Sequence, residues 1–184
     1  MISEKIVEKT IDDAIALFRE SELNAIYSRR AVRSYSHQRV SSELVDKLID
    51  AAIQAPSAMN SQPWGFVVIQ NQELIHELSV KVTSDFDVFY EATTLIIVYA
   101  KKDGFEPVGD CYLAIQNLML AATALGLGTC PIGYARETLK SEEWRQKLSI
   151  PSDYVPVLPI VVGYTQDVPT KSDRSPPQIF KWIK

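Results

Sequence analysis

The sequence predicts an α+β fold: one domain, residues 1–184, with a central sheet flanked by helices. Three observations predict it. The runs Trp64–Ile69 and Thr93–Ala100 are β-branched and aromatic, as strands are. The segments around 11–27, 42–55 and 110–125 instead repeat apolar residues at three- and four-residue intervals. Taken in order, the elements read α, α, β, α, β, α, α, β and a tail. Strict β-α-β alternation is missing, so a doubly wound dinucleotide-binding sheet fits poorly. With 184 residues, 46% of them hydrophobic and 23% charged, the chain has the composition of a folded domain and not of a disordered one.

The N-terminal segment 1–22 is expected to be a helical extension, because Ile11, Ala14, Ile15 and Phe18, and later Leu23 and Ile26, share related faces. Ser41 and Ser42 are both N-cap candidates for the next helix, and Glu43 suits its positive end. Leu44, Val45, Leu48, Ile49, Ala52 and Ile53 continue that helix until Pro56 ends it. A strand from Trp64 to Ile69 and a helix from Gln72 to Val82 follow. Thr93–Ala100 is apolar almost throughout, as expected of a strand covered on both faces. Asp110 to Leu125 is a long helix, apolar on every side, which predicts burial all round and a second subunit over one side. Gly126 and Gly128 are expected to close it in the left-handed conformation. One helix is predicted from Arg136 to Leu148. A strand is predicted from Val155 to Tyr164, its position limited by Pro156 and Pro159. The tail, 165–184, is polar but carries Ile179, Phe180, Trp182 and Ile183, so packing on a partner subunit is expected.

Charge narrows the function. The net charge of -4 argues against a general nucleic-acid binder. Cys111 and Cys130 form no C-x-x-C pair, and His37 and His76 stand at no zinc spacing, so two buried reduced thiols are expected and no metal. No signal peptide is read at the N-terminus. The most apolar stretch, Cys111–Leu127, is interrupted by Gln116, Asn117 and Thr123 and is too short to span a membrane. A cytoplasmic protein is expected.

Four stretches carry the chemistry. Arg29, Arg30 and Arg33 crowd three guanidinium groups into five residues of an acidic chain, with Ala31 between them. Arginine forks bind phosphate oxygens in pairs, although such a run can also be a solvated basic turn. In Pro56-Ser57-Ala58-Met59-Asn60-Ser61-Gln62-Pro63-Trp64 two prolines stiffen a loop that presents Ser57, Asn60 and Gln62 beside an aromatic ring. The same side chains can instead satisfy their own backbone. Gly126–Gly133 fails the G-x-G-x-x-G pattern and is read as backbone N–H groups exposed near Pro131, Ile132 and Gly133. Lys171 and Arg174 offer a second phosphate clamp or a charged surface loop. A phosphate on a flat, uncharged, polar-edged ring meets these demands, and FMN is such a molecule.

These stretches, in this order, resemble the nitroreductase family of FMN-dependent oxidoreductases, from about Leu23 to Pro176. The pieces that carry the resemblance are Arg29–Tyr35, Ala55–Trp64, Gln116–Ala122 with Leu125–Gly128, and Gly163-Tyr164 with Arg174-Ser175-Pro176. The resemblance implies a mostly antiparallel sheet in an intertwined homodimer with FMN at the subunit interface. It implies that Arg29, Arg30 and Arg33, with Ala31 between them, hold the phosphate and the pyrimidine side, with Arg174 and Lys171 at the phosphate. Ser57 and Asn60, on a loop that also carries Pro56 and Gln62, would come from the other subunit. The Pro131-Ile132-Gly133 backbone would pass beside flavin N5. Family members often carry serine where Ala31 stands, and Lys81–Glu91 shows no counterpart of the polar flavin contacts of larger members. The implied activity is ping-pong transfer from NADH or NADPH through FMN to an electron-poor acceptor such as a nitroaromatic or quinone, with no catalytic side chain required. A flavin dehydrogenase, a reductive dehalogenase-like enzyme, or a flavin-binding protein without turnover are the alternatives.

Overall fold

Seven consecutive residues, Thr94–Ala100, are buried, and this continuous apolar run organises the molecule. A computed structural model describes residues 23–167, 170 and 172–184. Residues 23–28 are helical; the helix expected over Ile11–Glu22 lies outside the described residues. The elements that follow are α1 Ser42–Ile53, a 3-10 turn Ala58–Asn60, β1 Trp64–Ile69, α2 Gln72–Val82, β2 Thr94–Lys101 and α3 Pro107–Ala124. Then come β3 Gly128–Pro131, a 3-10 turn Gly133–Ala135, α4 Arg136–Leu139, α5 Glu142–Lys147 and β4 Tyr154–Gly163. The four strands pair in the order β1-β2-β4-β3, every pair antiparallel. The expected α+β class and antiparallel sheet are what the structure shows.

Alternation along the strands feeds two cores. Ile96 and Val98 of β2, with Ile160 and Val162 of β4, meet α1 and α3 on one face. Leu95, Ile97 and Tyr99 of β2 meet α2, Leu139 and Trp144 on the other. Helices on both faces explain why β2 has no polar side.

Local chemistry sets most boundaries. Ser41 is the N-cap of α1, its side chain accepting from the Leu44 N–H at 3.3 Å; Ser42 is the first helical residue and caps nothing. The helix predicted from Asp110 starts at Pro107, where proline's missing N–H is harmless. The single helix expected from Arg136 to Leu148 is two. Ser141 is extended (ψ 149°) and caps α5 by accepting from Trp144 N–H. Gly126 ends α3 with φ 75°, and the Leu127 N–H reaches back to Ala122 O at 2.8 Å. Gly128 does not act as a cap; it is the first residue of β3. Pro159 sits inside the sheet without breaking it. Its carbonyl accepts from the Ile132 N–H (2.8 Å), so its nitrogen faces the same side, just past the last β3 pair, Pro131 with Ile160. Pro156 lies beside Val157, where the β2–β4 register shifts.

The side of α3 for which a second subunit is expected is open in the single chain. Cys111, Ala114, Ile115 and Leu118 are buried, but Val108, Tyr112 and Leu113 on its other side are exposed, so one copy of the chain does not bury it all round. Residues 172–184 form no helix or strand, and Phe180 (95%) and Trp182 (73%) are largely exposed in the single chain.

Residues 31–36 dock along the β3 edge. Ala31 bridges Thr129 in parallel, Val32 N–H donates to Thr129 O (2.9 Å), and Ser36 N–H donates to Tyr164 O (2.8 Å). Beneath them lie Gly128 and Gly163, which pair with each other across β3 and β4. A Cβ on Gly128 would stand 2.7 Å from a Val32 methyl, and one on Gly163 2.9 Å from the Tyr35 ring. Bare glycines are what let this strip lie flat. Gly128→Ala and Gly163→Ala should each lower stability by about 1–3 kcal/mol in urea denaturation. Gly104→Ala, whose nearest neighbour would be an ordinary 3.5 Å away, should change little. Equal effects at all three positions would contradict the docking role.

Candidate functional site

The docked strip puts the predicted arginines at one corner of the sheet. Arg29 follows the 23–28 helix, its N–H donating to Ala25 O at 3.0 Å. Arg30 folds back so that Nη1 donates to Tyr27 O (2.8 Å) and Arg29 O (2.6 Å), while its buried Nε has no partner among the described residues. Arg30 lines two adjoining cavities. One, of about 330 Å³, is also lined by Ala31, Arg33, Ser34, Thr165, Thr170 and Ser172. The Asp167 carboxylate belongs to the same lining. The other, of about 400 Å³, shares Ser172 and adds Arg174. Arg30, Ala31, Arg33 and Arg174 thus converge, and Lys171 lies outside the described residues. Three guanidinium groups, one with a buried Nε that has no partner among the described residues, form with the neighbouring hydroxyls a donor set suited to a phosphate.

The Pro131-Ile132-Gly133 segment lies on the same sheet edge. Its role needs one correction: the Ile132 N–H is engaged with Pro159 O, so it is not exposed for a ligand. Gly133 is exposed, and a Cβ there would meet nothing within 4 Å. Cys130 is buried under the strip. Burial pushes its thiol up, against the pull of Arg33 and Arg29. Arg33 is held above its ordinary value by Cys130 and then by the Tyr90 hydroxyl. Tyr90 therefore belongs to this corner; the sequence reading passed over it because it sits in the irregular stretch after α2.

The Pro56–Gln62 loop is built differently. Met59, Asn60 and Gln62 all have left-handed φ (56°, 55° and 46°), an uncommon state for residues other than glycine. Its polar side chains first satisfy the loop: Ser57 Oγ accepts from Gln62 N–H (3.0 Å), and Gln62 Nε2 donates to Asn60 Oδ1 (3.1 Å). Pro56, Asn60 and Gln62 remain exposed. Trp64 packs against the α1–α3 core instead of standing free.

The residue that holds this loop was not singled out in the sequence. Asp110, 5% exposed, accepts from the Ala58 N–H with both carboxylate oxygens (3.1 and 3.2 Å) and from Ser61 Oγ (3.4 Å). Its available signal was a lone acid inside an otherwise apolar helix.

The arginine strip and the Pro56–Gln62 loop do not meet within one chain. The loop leads into Trp64 of edge strand β1, in register with Ala100; Ala31 sits on Thr129 of the opposite edge, in register through Val162 with Thr94. Strand spacing and rise put these corners roughly 24 Å apart. Neither cavity lined by Arg30 is lined by any residue of 56–62.

Comparison with known proteins gives a consistent result. The nitroreductase family model matches residues 26–164. A Methanothermobacter thermautotrophicus protein that carries the provisional name NADH dehydrogenase/NAD(P)H nitroreductase is 36% identical, over 87% of each chain. An FMN reductase [NAD(P)H] of Bacillus subtilis is 26% identical, covering 84% of this chain and 70% of its own. The crystal structure of a Desulfitobacterium hafniense nitroreductase with bound FMN superposes with a TM-score of 0.77 at 27% identity, over 89% of this chain and 98% of that one.

Two outcomes follow from this geometry. Asp110→Ala leaves the Ala58 N–H without its acceptor, so stability should fall by about 1–3 kcal/mol and amide exchange should quicken over 57–62. Unchanged exchange there would remove Asp110 from its assigned role. Burial also pushes the Cys111 thiol from its ordinary 9.0 up to about 12. The folded state then keeps a proton that the unfolded state loses, so stability should decline as pH rises from 9.0 towards about 12. At pH 8 iodoacetamide should alkylate neither cysteine until urea unfolds the protein.

Proposed function

The chain belongs to the nitroreductase family, and we propose that it works as a homodimer in which each FMN is held by the arginine strip of one copy and the Pro56–Gln62 loop of the other. It is an FMN-dependent NAD(P)H oxidoreductase, in line with its FMN reductase relative and its FMN-bound structural neighbour. The observation that carries the shared site is the separation of the two halves at diagonally opposite corners of one sheet. A flat ring gripped by both needs a second copy to bring the loop across. The exposed side of α3 and the apolar end of the tail supply surface for such a partner.

The residues fit the cofactor. Arg30 and Arg33, with Ser34, Thr165 and Ser172, present donors for the phosphate, and Arg174 approaches from the adjoining cavity. The buried Arg30 Nε, without a partner among the described residues, is the donor most in need of an acceptor. Arg29, whose charge reaches Cys130, stands behind the same strip. Gly133 keeps the backbone side of the ring open, and Ser57 and Asn60 of the partner loop would close the other side. Held there, FMN would supply the hydride chemistry between NADH or NADPH and an electron-poor acceptor such as a nitroaromatic or quinone. Donor and acceptor use one open face in turn, which is a ping-pong sequence. The chain's own task is to orient the ring, to place cationic groups where negative charge develops, and to leave that face accessible.

The purified protein should be yellow, or become so with FMN, and NADH should bleach it under anaerobic conditions. A colourless protein that takes up no FMN rejects the function. Arg29→Ala and Arg30→Ala should each release most of the FMN; full retention would remove the strip from the site. Co-expressing Arg30→Ala with a Ser57→Ala/Asn60→Ala chain should give mixed dimers with one intact site, hence about half the wild-type flavin. Mixed dimers with no recovery would place both halves of the site in one chain.

A further inference from the structure

We propose that Tyr90 is a positioning residue: carried on a turn locked in a strained conformation, its hydroxyl holds the Arg33 guanidinium ready for the phosphate of the cofactor. The proposal rests on the flavin reading above.

Tyr90 and Glu91 are consecutive residues with left-handed φ, 55° and 57°. That conformation is uncommon away from glycine, and for a bulky aromatic it is an outlier. Strain of this kind persists only where the surroundings over-determine it. One carboxylate does much of that here: Asp87 accepts from Ser79 Oγ (2.6 Å), Phe89 N–H (3.0 Å) and Glu91 N–H (2.6 Å). Ser79, buried on α2, accepts in turn from Val88 N–H at 3.0 Å. Val88 and Phe89 are buried, and Ala92 N–H closes the turn on Phe89 O at 3.1 Å. A turn fastened to α2 and to the core fixes the course of the backbone at Tyr90.

Tyr90 is half-buried against the core cluster that contains Val32, Tyr35 and Cys130, the residues under the arginine strip. Val32 and Tyr35 are buried in that core, whereas Arg33 between them is exposed and lines the cavity of about 330 Å³ with Arg30. Tyr90 lines neither cavity of the strip. What it reaches is Arg33, through a hydrogen bond that helps to keep the guanidinium charged. An exposed arginine loses much rotamer freedom when it grips an anion. A partner already in place removes part of that loss before the ligand arrives. A carboxylate partner would also neutralise the charge that a phosphate needs, and none of the ion pairs among the described residues involves Arg33. A neutral phenol orients the guanidinium and leaves its charge for the anion. The segment after α2 thus contributes to the site without touching the ligand.

The test compares two ligands that differ by the phosphate, FMN and riboflavin, in fluorescence titrations of the full chain freed of flavin. Tyr90→Phe should raise the Kd of FMN about five-fold and leave that of riboflavin within about two-fold. The urea midpoint of the flavin-free chain should stay where it is, because the ring and the turn remain. Arg33→Ala should also weaken FMN, and adding Tyr90→Phe to it should weaken FMN no further, since the hydroxyl acts through that guanidinium. An unchanged FMN Kd in Tyr90→Phe, or an additive loss in the double variant, overturns the positioning role alone. So does a lowered urea midpoint with equal losses for both flavins, which would make Tyr90 a packing residue. A wild-type chain that binds no FMN rejects the flavin reading and the positioning role together.

Discussion

The contact of Val32 and Tyr35 with two bare glycines is the constraint on which the rest depends. Gly128 and Gly163 face each other across β3 and β4, and the strip that carries the arginines lies directly on them. A methyl group would stand 2.7 Å from Val32 at Gly128 or 2.9 Å from Tyr35 at Gly163, too close for carbon atoms, so the strip would have to shift. The Ala31–Thr129 bridge, the bond from Val32 to Thr129 and the alignment of Arg30 and Arg33 with their cavity all require this close approach. Tyr35 closes the arrangement by donating its hydroxyl to Val32 O at 2.8 Å. Burial there, more than any other influence, pushes the phenol well above its ordinary pKa, so that bond persists.

The second constraint is the strand order. With β1 and β3 at opposite edges, the arginine strip and the Pro56–Gln62 loop are carried to opposite corners. Each half is rigid on its own account: one is stitched to a sheet edge, the other is pinned to Asp110 with three residues in left-handed conformations. Two pre-organised segments held apart in this way are what the proposed site, shared between symmetric copies, requires.

Local signals were legible wherever the chemistry was local. Strand β1 and helix α2 run over the residues their composition predicted, and Ser41 capped its helix as its hydroxyl allows. The signals misled where two local rules competed. Ser141 broke a periodic helix in two because a cap outweighed the apolar spacing. Gly128 read as a helix stop because glycine serves both left-handed turns and close contacts, and only the neighbouring Val32 decides between them. Of the residues at the candidate site, the arginines stood out by charge. Asp110 and Tyr90 did not, since their roles exist only across gaps of about fifty residues in sequence.

By itself, then, the sequence determined the elements, the two-sided burial of β2, the cluster of guanidinium groups and the resemblance that led to the family. These follow from periodicity, side-chain chemistry and ordered motifs, which are properties of neighbours along the chain. Tertiary structure alone decided that the Ile132 amide is engaged by Pro159, that Asp110 holds the Ala58–Ser61 turn, and that the arginine strip and the Pro56–Gln62 loop lie apart. Each of those depends on which segments the sheet brings side by side, and strand order is set by burial summed over the whole domain, a quantity no single stretch of residues carries.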